Sequence, residues 1–410
     1  MTGRVRVRDL IATLMATLAL AAGVLTGSGP ASAGSTRPAG SAGALAGPDA
    51  DPFYRPPAGF ESAAPGTVFA SRAVTVKGLG LPVPVAAHQF LVRSSDAHDA
   101  PVAVAGTVMV PSGPYPGTRP LVSYQPAIDS LGDQCNPSYT LRAGTEKELG
   151  LMMQALMLGW AVVVTDYQGP DDAFAAGRMA GHAVLDGIRA AVSLPEAGLA
   201  GTATPVGMWG YSGGGLATSW AAELQPAYAP ELNVVGVASG GTPADLIAAA
   251  RQVDGGLASG LVLLASAGIS RAYPEMLALL DEDGRAMLDR IGDMCVGEAV
   301  ASFPFRRLNE FTHSADPLSE PVAVEVMERN HLGRQAPGAP VFLFHSLFDE
   351  LIPHGVARQL SSDWCAQGVT VSFYTDVLSE HSSLAVTGAP LAVSYLGSRF
   401  AGLPAPNTCL

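Results

Sequence analysis

Five residues, Gly210-Tyr211-Ser212-Gly213-Gly214, constrain the fold of this chain more than any other stretch. An apolar run, Pro205 to Trp209, leads into them, and an Ala/Leu-rich run, Gly215 to Leu224, leads out. A strand must therefore turn sharply into a helix at a serine. Such a turn forces the serine into a strained backbone conformation and lifts its hydroxyl clear of the sheet. Glycines on either side let strand and helix pass without a β-carbon clash. This is the G-x-S-x-G pattern of a nucleophile elbow, with Gly210, Tyr211 and Gly214 around the candidate nucleophile Ser212. In a chain with 47 glycines the pattern alone is weak, so its partners must come from elsewhere in the sequence.

Strand and helix signals alternate around the elbow. Gln89 to Arg93, Val102 to Val110 and Pro120 to Gln125 read as early strands. Trp160 to Thr165, Val234 to Ala238, Val341 to Phe344 and Val369 to Tyr374 read as later ones. Thr145 to Gly159 is helical in period, with Thr145 and Glu148 spaced as a capping box, and Ala180 to Val192 is a second helix. Continuous apolar strands between helices predict an α/β fold, a mostly parallel central sheet with helices on both faces. Only Pro243 to Gly333 interrupts the alternation, with helical patterns and no clear strand. Residues 243–333 are read as a helical cap inserted into a core made of residues 52–242 and 334–410.

A serine hydroxyl needs a base within hydrogen-bond reach, and the base needs an orienting carboxylate. On such a sheet the working residues sit at the carboxyl ends of strands, in the order Ser, Asp or Glu, His. His381 follows the last strand where a loop starts a helix, and is preferred as the base over His354. His313 and His331 fall in the cap, and His345 packs or holds a loop. Asp349 follows the preceding strand and is the candidate carboxylate, with Glu350 and Asp166 as alternatives. Asp166 reads better as a loop-capping residue, and Glu380, beside His381, as solvated. The oxyanion of a tetrahedral intermediate needs two N–H donors. Gly213 supplies one. The loop after Pro120 to Gln125 supplies the other; Pro126 lacks an N–H, and Gln125, Ala127, Ile128 and Asp129 stay open.

The N-terminus carries an address. Arg4, Arg6 and Arg8 precede the apolar stretch Leu10 to Leu25 and the cleavage-like Ala31-Ser32-Ala33, which reads as a signal peptide over 1–33 cut near Ala33, and hence a secreted protein. Residues 34–51, rich in Gly, Ala, Ser and Pro, read as a disordered linker. Without the signal the chain carries 20 basic and 35 acidic side chains, net −15, which argues against nucleic-acid partners. Lysine occurs only as Lys77 and Lys147. Cys135, Cys295, Cys365 and Cys409 suggest two disulfides in an exported chain, with three connectivities open. Their spacing does not suit a metal site, and no cofactor is expected.

Taken together, these residues resemble the secretory lipase family of the Candida antarctica lipase A type, within the α/β-hydrolase superfamily. The resemblance rests on Ser123-Tyr124-Gln125 leading to Asp129, Cys135-Asn136-Pro137-Ser138-Tyr139, the elbow, Gly240-Gly241-Thr242-Pro243, Asp349-Glu350-Leu351-Ile352-Pro353 and Glu380-His381. It implies that Ser212, Asp349 and His381 form the triad, that Asp129 and Gly213 make the oxyanion hole, and that Cys135 pairs with Cys295 and Cys365 with Cys409. The implied activity is hydrolysis of triacylglycerols and other carboxylic esters. The implied partner is a small-molecule or lipid ester, with transient contact at a lipid interface and no obligate protein partner. The family type carries a C-terminal flap beyond the last cysteine, whereas this sequence stops at Leu410. That difference implies an open site favouring short to medium esters. Two other readings remain in view: a serine peptidase or amidase, and a catalytically dead hydrolase-like binding protein.

Overall fold

The computed structural model describes residues 45–409. The signal peptide expected over 1–33, and the linker over 34–44, lie outside them. From residue 45 onward the linker expectation is overturned. Pro48–Ala50 forms a 3-10 turn, and the buried Asp51 pairs with Arg72 at 2.6 Å. Prolines and the ion pairs of Asp51 with Arg72 and Arg142 order this segment, not apolar residues, so its composition concealed it.

In chain order the strands are β1 (Val68–Val74), the short hairpin pair β2 (Lys77–Gly78) and β3 (Leu81–Pro82), β4 (Val85–Ser95), β5 (Pro101–Pro111), β6 (Leu121–Gln125), β7 (Ala161–Thr165), β8 (Val206–Tyr211), β9 (Val234–Gly240), β10 (Val341–Ser346) and β11 (Val371–Asp376). Nine of them make one sheet in the order β1-β4-β5-β7-β6-β8-β9-β10-β11. Pairing is antiparallel from β1 to β7 and parallel from β7 to β11. The mostly parallel sheet of an α/β-hydrolase is therefore present. β1 escaped the sequence reading because it is a half-exposed edge strand without a continuous apolar run.

Strand periodicity explains how both faces are covered. Along β8, Met208 faces one side with Leu121 and Val163, while Trp209 faces the other with Val122 and Val162. The first face packs against the helices Gly177–Ser193 and Gly213–Tyr228, and the second against Leu149–Met157 and Ala389–Phe400. β6, β7, β8 and β10 are buried along their whole lengths, which suits their unbroken apolar sequences.

The helix expected over 145–159 is shorter, Leu149–Met157, and the Thr145/Glu148 capping box does not form. Glu146 instead accepts from the Glu148 N–H at 3.0 Å. The freed Glu148 carboxylate turns into the protein. Residues 243–333 contain the helices Leu246–Val253, Ser259–Ala272, Glu282–Ile291, Val296–Ser302 and Pro321–Arg329. Their only β-pairing among the described residues is an isolated bridge, Leu280 to Thr312. Leu263, Leu264 and Ile291 of this segment share one apolar core with the sheet.

Candidate active site

The carboxyl ends of β6, β8, β10 and β11 bring four chain segments to one edge of the sheet. At the end of β8, Ser212 holds φ 57° and ψ −122°, a conformation L-residues rarely adopt. It is locked from both sides: its N–H donates to Gly240 O at 2.9 Å, and its carbonyl accepts from Leu216 N–H at 2.9 Å. The surrounding glycines are set by close approach. A β-carbon on Gly210 would lie 2.2 Å from Gly214 O, and one on Gly214 would lie 1.9 Å from Gln125 O. One on Gly213 would lie 1.8 Å from Asp129 Oδ1.

Two hydrogen bonds join the residues expected to cooperate. Ser212 Oγ lies 2.8 Å from His381 Nε2, and His381 Nδ1 lies 2.7 Å from Asp349 Oδ2. The other Asp349 oxygen accepts from the N–H groups of Leu351 at 3.0 Å and Ile352 at 2.8 Å. Burial works to raise the Asp349 pKa, but the His381 hydrogen bond, the nearby His381 and His345 charges and the Ile352 N–H outweigh it and hold the carboxyl below its ordinary range. His345 holds the same loop: its Nε2 donates to Ile352 O at 3.0 Å, and burial pushes its pKa down.

The other histidine and carboxylate candidates do different work. His354 starts the helix His354–Ala366 and bonds Thr375 Oγ1 at 3.0 Å. Glu350 accepts from the His381 N–H at 3.0 Å, and Glu380 caps the helix His381–Thr387 by accepting from Ser382 and Ser383. Asp166 accepts from the N–H and hydroxyl of Ser138 and so caps the helix Pro137–Ala143; burial lifts its pKa to about 7.

On the other side of Ser212 lies the loop after β6. Gln125 is still inside the strand, paired with Gly210. The Ala127 N–H donates to Glu148 at 3.0 Å, and the Ile128 N–H to the Tyr167 hydroxyl at 3.3 Å. Among the described residues no protein acceptor takes the N–H of Asp129 or of Gly213. Asp129 is in the left-handed region, φ 48°, which Asp tolerates better than most residues. The loop is stitched to residues 271–296: Leu131 N–H to Met294 O at 3.1 Å, Val296 N–H to Ser130 Oγ at 3.0 Å, and Arg271 Nη1 to Leu131 O at 2.9 Å. The disulfide Cys135–Cys295 lies beside these contacts, and Cys365–Cys409 ties the chain's end to the helix His354–Ala366. Both pairings are those the family resemblance implies.

Three tyrosine hydroxyls whose roles sequence reasoning did not assign position this site. The Tyr211 hydroxyl donates to His381 O at 2.7 Å, the Tyr124 hydroxyl to Glu148 at 2.6 Å, and the Tyr167 hydroxyl to Pro126 O at 2.7 Å. None carries a local signal, since each partner is distant in sequence. A cavity of about 340 Å³ lined by Arg178, Trp220, Glu223, Arg329 and their neighbours contains none of the residues above.

Comparison with known proteins shows which family the chain resembles. The pattern of the secretory lipase family matches residues 136–408. The Mycobacterium tuberculosis protein named "Probable inactive lipase MT1628" is 40% identical over 372 residues, covering 87% of this chain and 83% of that one. The secreted triacylglycerol lipase LIP2 of Malassezia furfur is 35% identical over 384 residues, covering 88% and 81%. The closed state of Candida antarctica lipase A superposes with a TM-score of 0.83 at 29% identity, covering 90% of this chain and 89% of that one.

Proposed function

The chain belongs to the secretory lipase family, and on that premise we propose that it is an exported serine carboxylic-ester hydrolase working through an acyl-serine. The observation that carries this reading is the continuous Ser212–His381–Asp349 relay, at 2.8 and 2.7 Å. His381 Nε2 takes the Ser212 proton as Oγ attacks the ester carbonyl. Asp349 fixes the tautomer with the proton on Nδ1 and stabilises the imidazolium. The N–H groups of Gly213 and Asp129 receive the oxyanion. His381 then protonates the departing alcohol, which leaves Ser212 acylated. A water deprotonated by His381 attacks the acyl carbon, and collapse returns the serine and releases the acid. The scheme calls on no metal or cofactor.

The substrate side of the reading rests on the rim. Leu347, Phe348, Val377 and Leu378 are exposed apolar side chains on the two loops that carry Asp349 and His381. Exposed apolar groups so close to a reaction centre suit the acyl chain of an ester and transient contact with a lipid surface. Export would follow cleavage after Ala33, and the mature secreted protein would begin at Gly34.

The name of the M. tuberculosis relative supports a second reading, a hydrolase scaffold without turnover. Measuring p-nitrophenyl esters against p-nitroanilides separates the readings. The proposal expects ester turnover far above anilide turnover, abolished in Ser212→Ala. Anilide turnover at a comparable rate would indicate a peptidase or amidase, and turnover of neither would indicate the silent scaffold.

A further inference from the structure

We propose that the Asp129 carboxyl works in its neutral, protonated form, and that ionising it shuts the oxyanion site. The proposal rests on the ester-hydrolase reading and adds to it a role for the side chain of a residue so far used only for its backbone.

The geometry is unusual for an aspartate. Asp129 is 6% exposed, and its Oδ1 is buried with no hydrogen-bond partner. That oxygen sits 1.8 Å from where a Gly213 β-carbon would be, so it rests against the residue that offers the other oxyanion donor. The contrast with Asp349 is direct: there, two N–H groups and an imidazole satisfy the carboxylate. An ionised carboxylate without donors is costly to bury, whereas a neutral carboxyl is much less so. A negative charge here would also face the developing oxyanion at short range and in low dielectric, where like charges repel strongly.

The surroundings favour the neutral form without making it permanent. Burial pushes the Asp129 pKa up, while the charges of Lys147 and His381 pull it down. Lys147 comes from the turn before the helix Leu149–Met157, and His381 from the first turn of the helix His381–Thr387 after β11. Tyr167, beyond β7, feels the Asp129 charge together with those of Glu146 and Glu148. Lys147 is one of only two lysines in the chain, and it stands where it tunes this carboxyl.

The test compares the shapes of kcat against pH for p-nitrophenyl butyrate in wild type, Asp129→Asn and Lys147→Met, each normalised to its own maximum. Asparagine keeps the backbone N–H and tolerates positive φ but cannot ionise. Wild type should decline on the alkaline side by about tenfold per pH unit, and Asp129→Asn should lose that decline. Lys147→Met should move the decline to higher pH, because removing the cation raises the carboxyl pKa further. An Asp129→Asn profile that keeps the wild-type alkaline limb overturns the proposal. If circular dichroism shows that this variant does not fold, Lys147→Met decides alone, and an unmoved limb is then the overturning result. A wild type without ester turnover at any pH overturns the hydrolase reading and this proposal together, whereas an active wild type with an insensitive limb overturns this proposal only.

Discussion

The two flanks of Ser212 are built on opposite principles. On the acid–base flank, Asp349 is ionised and satisfied, and Glu350 and the Tyr211 hydroxyl hold the His381 backbone from two sides. On the oxyanion flank, the loop Gln125 to Asp129 leans on Glu148, and the segment Asn136 to Ser138 that follows it leans on Asp172 and Asp166, all buried carboxyls that desolvation holds toward neutrality. Burial raises Glu148 and Asp172 to about 7, as it does Asp166. One flank must carry charge on demand and is wired to do so. The other must receive charge, and burial pushes the two carboxyls at its loop, Asp129 and Glu148, toward the neutral form.

The sharpest way to break this comparison is at the wired flank. Asp349→Asn keeps the shape but permits the wrong His381 tautomer, and kcat should fall by about 10⁴-fold with KM little changed. Next comes the contact between the flanks. In Gly213→Ala the new methyl would collide with the Asp129 carboxyl, displace one donor, and lower kcat by about 10²–10³-fold. Smaller again is Glu148→Ala. It leaves the Ala127 N–H and the Tyr124 hydroxyl without their acceptor, at about 1–3 kcal/mol, and the loosened loop should lower kcat more than it raises KM.

The smallest effect distinguishes the flanks by sign, and stability against pH reads it. Asp349 has a lowered pKa, so its contribution is present above its unfolded value and is lost as pH falls through the still lower folded value. Glu148, Asp166 and Asp172 have raised values, so their contribution is present below the ordinary carboxylate range and is lost as pH rises through about 7. Thermal melts should therefore show Tm falling by a few degrees between mildly acidic and mildly alkaline buffer. Asp172→Asn should flatten that fall. An equal fall in the variant would remove Asp172 from the account.

The two flanks also differed in what could be read from sequence. Ser212, Asp349 and His381 stand at strand ends, and strand ends follow from apolar runs that local sequence displays. The oxyanion loop could be placed, but spacing alone left its donor open, and only the family resemblance pointed to Asp129. Ala127 and Ile128 lose their N–H groups to Glu148 and Tyr167, partners that only the folded chain brings near. Glu148 itself looked like half of a capping box, because at that spacing a local role is the only one visible. The order at Pro48 to Asp51 was hidden for the same reason, since its partner Arg72 lies beyond the segment. Periodic burial was readable; single polar contacts across the fold were not.

The central claim is that Ser212 is a working nucleophile on a scaffold with a relative named inactive. The most direct test is to treat the mature protein with a fluorophosphonate and map the adduct by mass spectrometry. The account predicts one adduct per chain on Ser212, none in Ser212→Ala, and loss of ester turnover in step with labelling. An unlabelled wild type, or equal labelling of wild type and Ser212→Ala, would contradict it.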